Sequence, residues 1–101
     1  MKAAIYNYTA WIEECEPFRI ARAMDVLLDE AGFHVLQFTD HHFEPQGYTA
    51  IWLLSESHLA VHTFPEEGKT YIELSSCNFE KNETFEKELS RAEFTLTTAS
   101  E

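Results

Sequence analysis

Leu53-Leu54-Ser55-Glu56-Ser57-His58-Leu59-Ala60-Val61-His62-Thr63-Phe64-Pro65-Glu66 joins two apolar runs through two polar residues. Tyr48 to Leu54 is a dense apolar run that reads as a strand inside a sheet. Ser57 to Phe64 reads as the next strand. Only Ser55-Glu56 lies between them, so the connection is a tight turn or a kink, and strands linked this closely pair antiparallel. The stretch also packs hydroxyls, a carboxylate and two imidazoles into apolar surroundings. Such groups are costly there unless they are paired or used.

Outward from this hairpin, the preceding segment Asp40 to Gly47 is a loop or irregular strand end, punctuated by Pro45 and Gly47. Phe33 to Thr39 reads as a strand. Before it, Ile20, Met24, Leu27, Leu28 and Ala31 recur at spacings of three and four, which predicts a helix over Phe18 to Ala31 with one apolar face. Gly32 follows where left-handed geometry ends a helix. Pro17 suits the first turn, and Glu13, Glu14 and Glu16 suit the positive end. Ala3 to Ile12 is β-branched and aromatic enough for a first strand. After the hairpin, Pro65 to Gly68 predicts a turn and Lys69 to Cys77 a return strand. Asn78 to Ala92 has helical spacing through Phe85, Leu89 and Ala92, and Phe94 to Thr98 alternates as a last strand. The order β-α-β-β-β-β-α-β predicts an α+β two-layer sandwich, a mostly antiparallel sheet with helices on one face. It runs forwards and then backwards about the middle, a faint sign of two related halves.

The 101 residues fit one domain, 1–101, and 45% apolar content with 14 aromatics supplies a bulky core. A net charge of −11 with only seven scattered basic residues argues against nucleic acid. It accords with solubility or with a cationic ligand. Cys15 and Cys77 have neither CxxC spacing nor the density of a disulfide framework, so a reducing, cytoplasmic setting is expected. Met1 to Tyr8 is too short and polar for a signal peptide, and no run approaches a membrane span, so no membrane partner is expected.

The reactive groups admit several readings. His58 and His62 have zinc-like spacing for a helix, but on a strand the rings stand roughly 13 Å apart, so no metal is expected. The ordinary reading of His58 is a half-buried, hydrogen-bonded histidine. A GxSxG elbow is absent, and no Asp is placed to orient His62, which argues against a serine hydrolase. Cys77 could serve as a thiol nucleophile with His62, or simply as a small buried hydrophobe. Glu56-Ser57 is the more informative pair. A serine hydroxyl at a strained turn can attack the preceding carbonyl, and elimination from the resulting ester breaks the chain. Thr49, Ser55 and His62 are candidates for polarising the carbonyl and serving as base.

Ser55 to Glu66 resembles the processing motif S-E-S-H-L-T-I-H-T-W-P-E of the short bacterial and archaeal S-adenosylmethionine decarboxylases, differing only at Ala60, Val61 and Phe64. That family also has a cysteine 20 residues after its serine, where Cys77 stands, and a serine eight residues before it, where Thr49 keeps the hydroxyl. The resemblance implies a proenzyme that cuts itself between Glu56 and Ser57 into chains 1–56 and 57–101. Ser57 would become a pyruvoyl group, the only cofactor, forming a Schiff base with the substrate amine. The resemblance further implies that His62 and Thr49 assist cleavage and that Cys77 returns a proton to the substrate α-carbon. Phe43 and Phe64 would hold the adenine, with Glu66 in the pocket, and a homodimer of processed protomers would make decarboxylated S-adenosylmethionine for spermidine synthesis. Three departures bear on the substrate. Phe64 replaces the motif's tryptophan, Asn78 stands where the family often has glycine, and Ile5-Tyr6-Asn7-Tyr8 replaces an opening G-x-H-L. Related readings are a pyruvoyl-dependent decarboxylase of arginine or ornithine, or a non-catalytic member of the family.

Overall fold

In a computed structural model, which describes residues 3–97, the chain forms β1 (Tyr6–Ile12), α1 (Pro17–Ala31), β2 (Val35–His42) and β3 (Tyr48–Leu54). There follow β4 (Ser57–Phe64), a 3-10 turn (Pro65–Glu67), β5 (Lys69–Ser76), α2 (Phe79–Arg91) and β6 (Leu96–Thr97). One six-stranded sheet has the order β2-β3-β4-β5-β1-β6, and every neighbouring pair is antiparallel. This is the expected α+β sandwich. Residues 1–56 supply β1, β2 and β3, and residues 57–97 supply β4, β5 and β6. The two halves therefore interleave, with β1 seated between β5 and β6.

The helices form where the spacing predicts them. Glu16 caps α1, its carboxylate accepting from the N–H groups of Phe18 (3.2 Å) and Arg19 (2.9 Å), with Pro17 at the first helical position. Its buried face is Ile20, Met24, Leu27, Leu28 and Ala31. Gly32 ends it at φ 88°, where a Cβ would be strained. Asn78 caps α2 through its side-chain oxygen and the Lys81 N–H, 3.0 Å. Phe85 and Leu89 face the core, where they meet Ile12, Trp52, Leu59, Val61, Ile72 and Leu74. The Trp52 indole N–H donates to Asp25 at 2.8 Å, so the largest core ring keeps its one polar atom satisfied.

Two strand bounds differ from expectation. The strand expected over Phe33 to Thr39 runs from Val35 to His42 instead. Phe33 is buried in the link behind Gly32, where its N–H closes the helix on Leu28 at 2.9 Å. The last strand is only Leu96–Thr97, and Thr98 lies outside the described residues. β2 is an edge strand, exposed along its whole length, and Phe38 merely leans on Trp52 at 4.9 Å.

Candidate active site

Ser55-Glu56 is the two-residue turn of the β3–β4 hairpin, tied by the Ser55 N–H to the His34 carbonyl at 3.0 Å. Ser57 follows at φ 147°, and it is the one non-glycine residue with positive φ among those described. A side chain there is strained, and such strain persists only where the surroundings enforce it. Here they do. Ser57 pairs with both Leu54 and Ser76, and the Glu56 carbonyl accepts the main-chain N–H of Cys77 at 3.1 Å. That N–H polarises the very carbonyl a Ser57 hydroxyl would attack, a donor that side-chain reasoning over Thr49, Ser55 and His62 did not reach.

Cys77 is exposed and free, which corrects the buried-hydrophobe reading. It lies just past the end of β5, outside the core face. Its position is fixed by its neighbours. Ser76 Oγ donates to Asn82 Oδ1 (2.6 Å) and accepts from the Asn78 N–H (3.0 Å), while Asn82 Nδ2 donates to the Tyr6 carbonyl (2.9 Å). The Glu56 carboxylate is held by Lys81 Nζ (2.6 Å) and Asn78 Nδ2 (3.1 Å). These hydrogen bonds, Lys81 first, hold its carboxyl below the usual carboxylate range. Lys81 was invisible in the sequence, since its helical spacing said only that it was polar. Asn78 was visible only as a departure from a family glycine.

The other expected site residues gather at the opposite end of β4. Thr49 and His62 are strand partners, with Thr49 Oγ1 3.0 Å from His62 Nδ1. His62 stands five residues along β4 from Ser57, about 16 Å at the usual strand rise, and Phe64 stands about 23 Å away. Phe43, 48% exposed, donates its N–H to Gly47 (2.8 Å) and packs its ring on His41. Gln46 Nε2 reaches Glu66 at 3.4 Å. A cleft of about 360 Å³ between these segments is lined by Cys15, His42, Phe43, Tyr48 and Thr63. Phe64, 37% exposed, lies 5.7 Å from Trp11. Trp11 in turn meets Tyr71, which stacks near His62. This aromatic row on the helix-free face was missed, because Trp11 and Tyr71 looked like ordinary strand residues. His58 lies on that face too and is exposed rather than half-buried, since no layer covers it.

In one protomer, then, the groups divide into Glu56, Ser57 and Cys77 at one end of the hairpin and Thr49, His62, Phe43, Phe64 and Glu66 at the other. The class is a two-layer α+β sandwich with reactive groups at both ends of a central hairpin. Residues 13–99 match the sequence model of the S-adenosylmethionine decarboxylase family, and the chain belongs to that family.

Similar proteins include the S-adenosylmethionine decarboxylase proenzyme of Prochlorococcus marinus strain MIT 9313, 47% identical over 46% of this chain and 38% of that protein. The proenzyme of Pelotomaculum thermopropionicum is 37% identical over 70% of this chain and 52% of its own length. That of Parasynechococcus marenigrum strain WH8102 is 34% identical over 63% of this chain and 55% of its own. The chain thus spans about half the length of the curated relatives it matches. The crystal structure of the Aquifex aeolicus adenosylmethionine decarboxylase superposes with a TM-score of 0.67 at 18% identity, covering 96% of this chain and 89% of that one, and so shares its fold.

Proposed function

We propose that the chain is a proenzyme that cuts itself between Glu56 and Ser57 and, as a lyase, decarboxylates S-adenosylmethionine for polyamine (spermidine) biosynthesis. The observation that carries this reading is the Glu56–Ser57 peptide itself. Its serine is strained at φ 147° and its carbonyl is hydrogen-bonded at 3.1 Å to the Cys77 N–H. The Ser57 hydroxyl gives its proton to a base and its oxygen bonds the Glu56 carbonyl carbon. The C–N bond then breaks, and the freed amine of Ser57 takes a proton. Loss of the Ser57 α-proton expels Glu56 as a carboxylate, leaving dehydroalanine. Its imine tautomer takes up water and releases ammonia, so that residues 57–101 begin with a pyruvoyl group.

The residues present fit that group. Ser57 is half-buried at a strand start, beside a free thiol and a main-chain donor. A pyruvoyl ketone supplies the electron sink that a decarboxylation needs. Cys77 then delivers a proton to the substrate α-carbon. Phe43 and Phe64 offer π faces to the adenine and the sulfonium, and Glu66 adds negative charge at their edge. The acidic surface favours a cationic substrate.

The unit we infer is a homodimer of processed protomers, in which Thr49, His62, Phe43, Phe64 and Glu66 of one copy face Ser57 and Cys77 of the other. The separation of the two groups along β4 supports this. So does the helix-free sheet face, where Ile51, Leu53 and Phe64 are exposed. The setting we infer is cytoplasmic. Both cysteines are free, and among the described residues no helix is long and apolar enough to cross a membrane.

Denaturing mass spectrometry of the purified protein tests the reading. Two fragments meeting at Glu56/Ser57 are expected, with Ser57→Ala remaining whole. A wild-type chain that stays whole after long incubation refutes it. CO2 release from S-adenosylmethionine, but not from arginine or ornithine, is expected of the cut protein. The reverse preference would move the substrate to a plain cationic amino acid.

A further inference from the structure

Three elements converge on the side chain of Glu56. From the first turn of α2, Lys81 Nζ reaches its carboxylate at 2.6 Å and Asn78 Nδ2 at 3.1 Å. From the end of α1, Gly32 and Phe33 back the lysine. A Cβ at Gly32 would stand 3.6 Å from Lys81 Cε, and Lys81 Nζ lies 5.7 Å from the Phe33 ring centre. Asn78 is shared between three tasks. Its amide nitrogen holds Glu56, its amide oxygen caps α2 on the Lys81 N–H, and its main-chain N–H is fixed by Ser76.

Such an arrangement is large for its effect on stability. The side chains of Lys81 and Glu56 are 31% and 28% exposed, and ion pairs this open to water contribute little to folding. Its position is what distinguishes it, because Glu56 is the acyl residue of the bond to be cut. Attack by Ser57 places negative charge on the Glu56 carbonyl oxygen. An unpaired carboxylate on the same residue would oppose that charge and leave the acyl group free to swing away from the Cys77 N–H.

We propose that Lys81, seated by Asn78, is a positioning residue for self-cleavage. It anchors and neutralises the Glu56 carboxylate, so that the Glu56 carbonyl stays on the Cys77 N–H and the strained turn is kept. This proposal rests on the self-cleavage reading.

The test follows freshly synthesised chain in a cell-free system and reads the fraction cut against time by denaturing mass spectrometry. Lys81→Met is expected to slow cleavage about tenfold or more, the usual scale for a misplaced reacting group. Glu56→Gln should slow it similarly, and the double variant should be no slower than the slower single. Lys81→Arg, which keeps the charge, should recover most of the rate. In the uncut Ser57→Ala background, adding Lys81→Met should move Tm by only a few degrees at most, as expected of an exposed pair.

Wild-type rates in both Lys81→Met and Glu56→Gln overturn the proposal and leave self-cleavage standing. So do additive losses in the double variant, no recovery by arginine, or a collapse of the Ser57→Ala/Lys81→Met melting temperature. A wild-type chain that stays as whole as Ser57→Ala overturns both.

Discussion

Cys77 enters the site twice, by a main-chain N–H on the Glu56 carbonyl at 3.1 Å and by an exposed thiol. The two contributions separate by mutation. Cys77→Ala keeps the N–H, so cleavage should proceed near the wild-type rate. Decarboxylation of S-adenosylmethionine by the cut protein should fall about a hundredfold, the scale of one lost proton donor. A second expectation concerns acid. Glu56 is held below its ordinary value of 4.5 by hydrogen bonds from Lys81 and Asn78. Glu14 is held below it by the Glu16 N–H first and by Arg19. Both folded pKa values are depressed, so the stability they contribute is present above about pH 4.5 and is lost as pH falls through the folded values. Melting of the Ser57→Ala chain against pH should show this loss, and adding Lys81→Met should flatten it. The reactive side chains themselves were readable, because a serine, a carboxylate and a thiol announce their chemistry. The main-chain donor and the lysine clamp were not, since a backbone N–H has no letter and Lys81 meets Glu56 only through the fold.

The elements were the most legible level. The buried face of α1 matches its apolar spacing residue for residue, and the turns at Gly32 and Gly68 adopt the positive φ values (88° and 70°) their glycines foretold. Apolar spacing is written along one element, and so is capping. β2 was harder, because a strand rich in Val35, Leu36 and Phe38 reads as buried. It is exposed because it lies beyond the reach of the two helices, a fact of sheet order that no local pattern encodes. α2 offers the sharpest stability test. Phe85 is fully buried and meets Tyr8 edge-on at 6.3 Å. Phe85→Ala should cost about 3–5 kcal/mol, read from the denaturant midpoint of the uncut Ser57→Ala chain.

At the scale of the whole molecule, the division of the site is the finding that spacing along the chain concealed. Ser57 and His62 are five residues apart and look like neighbours, yet an extended strand holds them about 16 Å apart. If His62 acts on the other copy, mixed dimers of Ser57→Ala with His62→Ala should cut the His62→Ala chain, which neither variant does alone. Mass spectrometry of the co-expressed pair reads this directly, and no cutting of that chain would place His62 outside a shared site. The interleaved sheet bears on what happens after the cut. With β1 of the upstream piece between β5 and β6 of the downstream piece, the pieces part only when the fold is lost, and cutting doubles the number of molecules then released. Resistance to denaturant should therefore fall with dilution more steeply for cut protein than for Ser57→Ala. Reassembly acquires a higher kinetic order than the first folding had. Synthesis as one chain guarantees every half its mate, and a cut molecule that unfolds in dilute surroundings must find one again by diffusion.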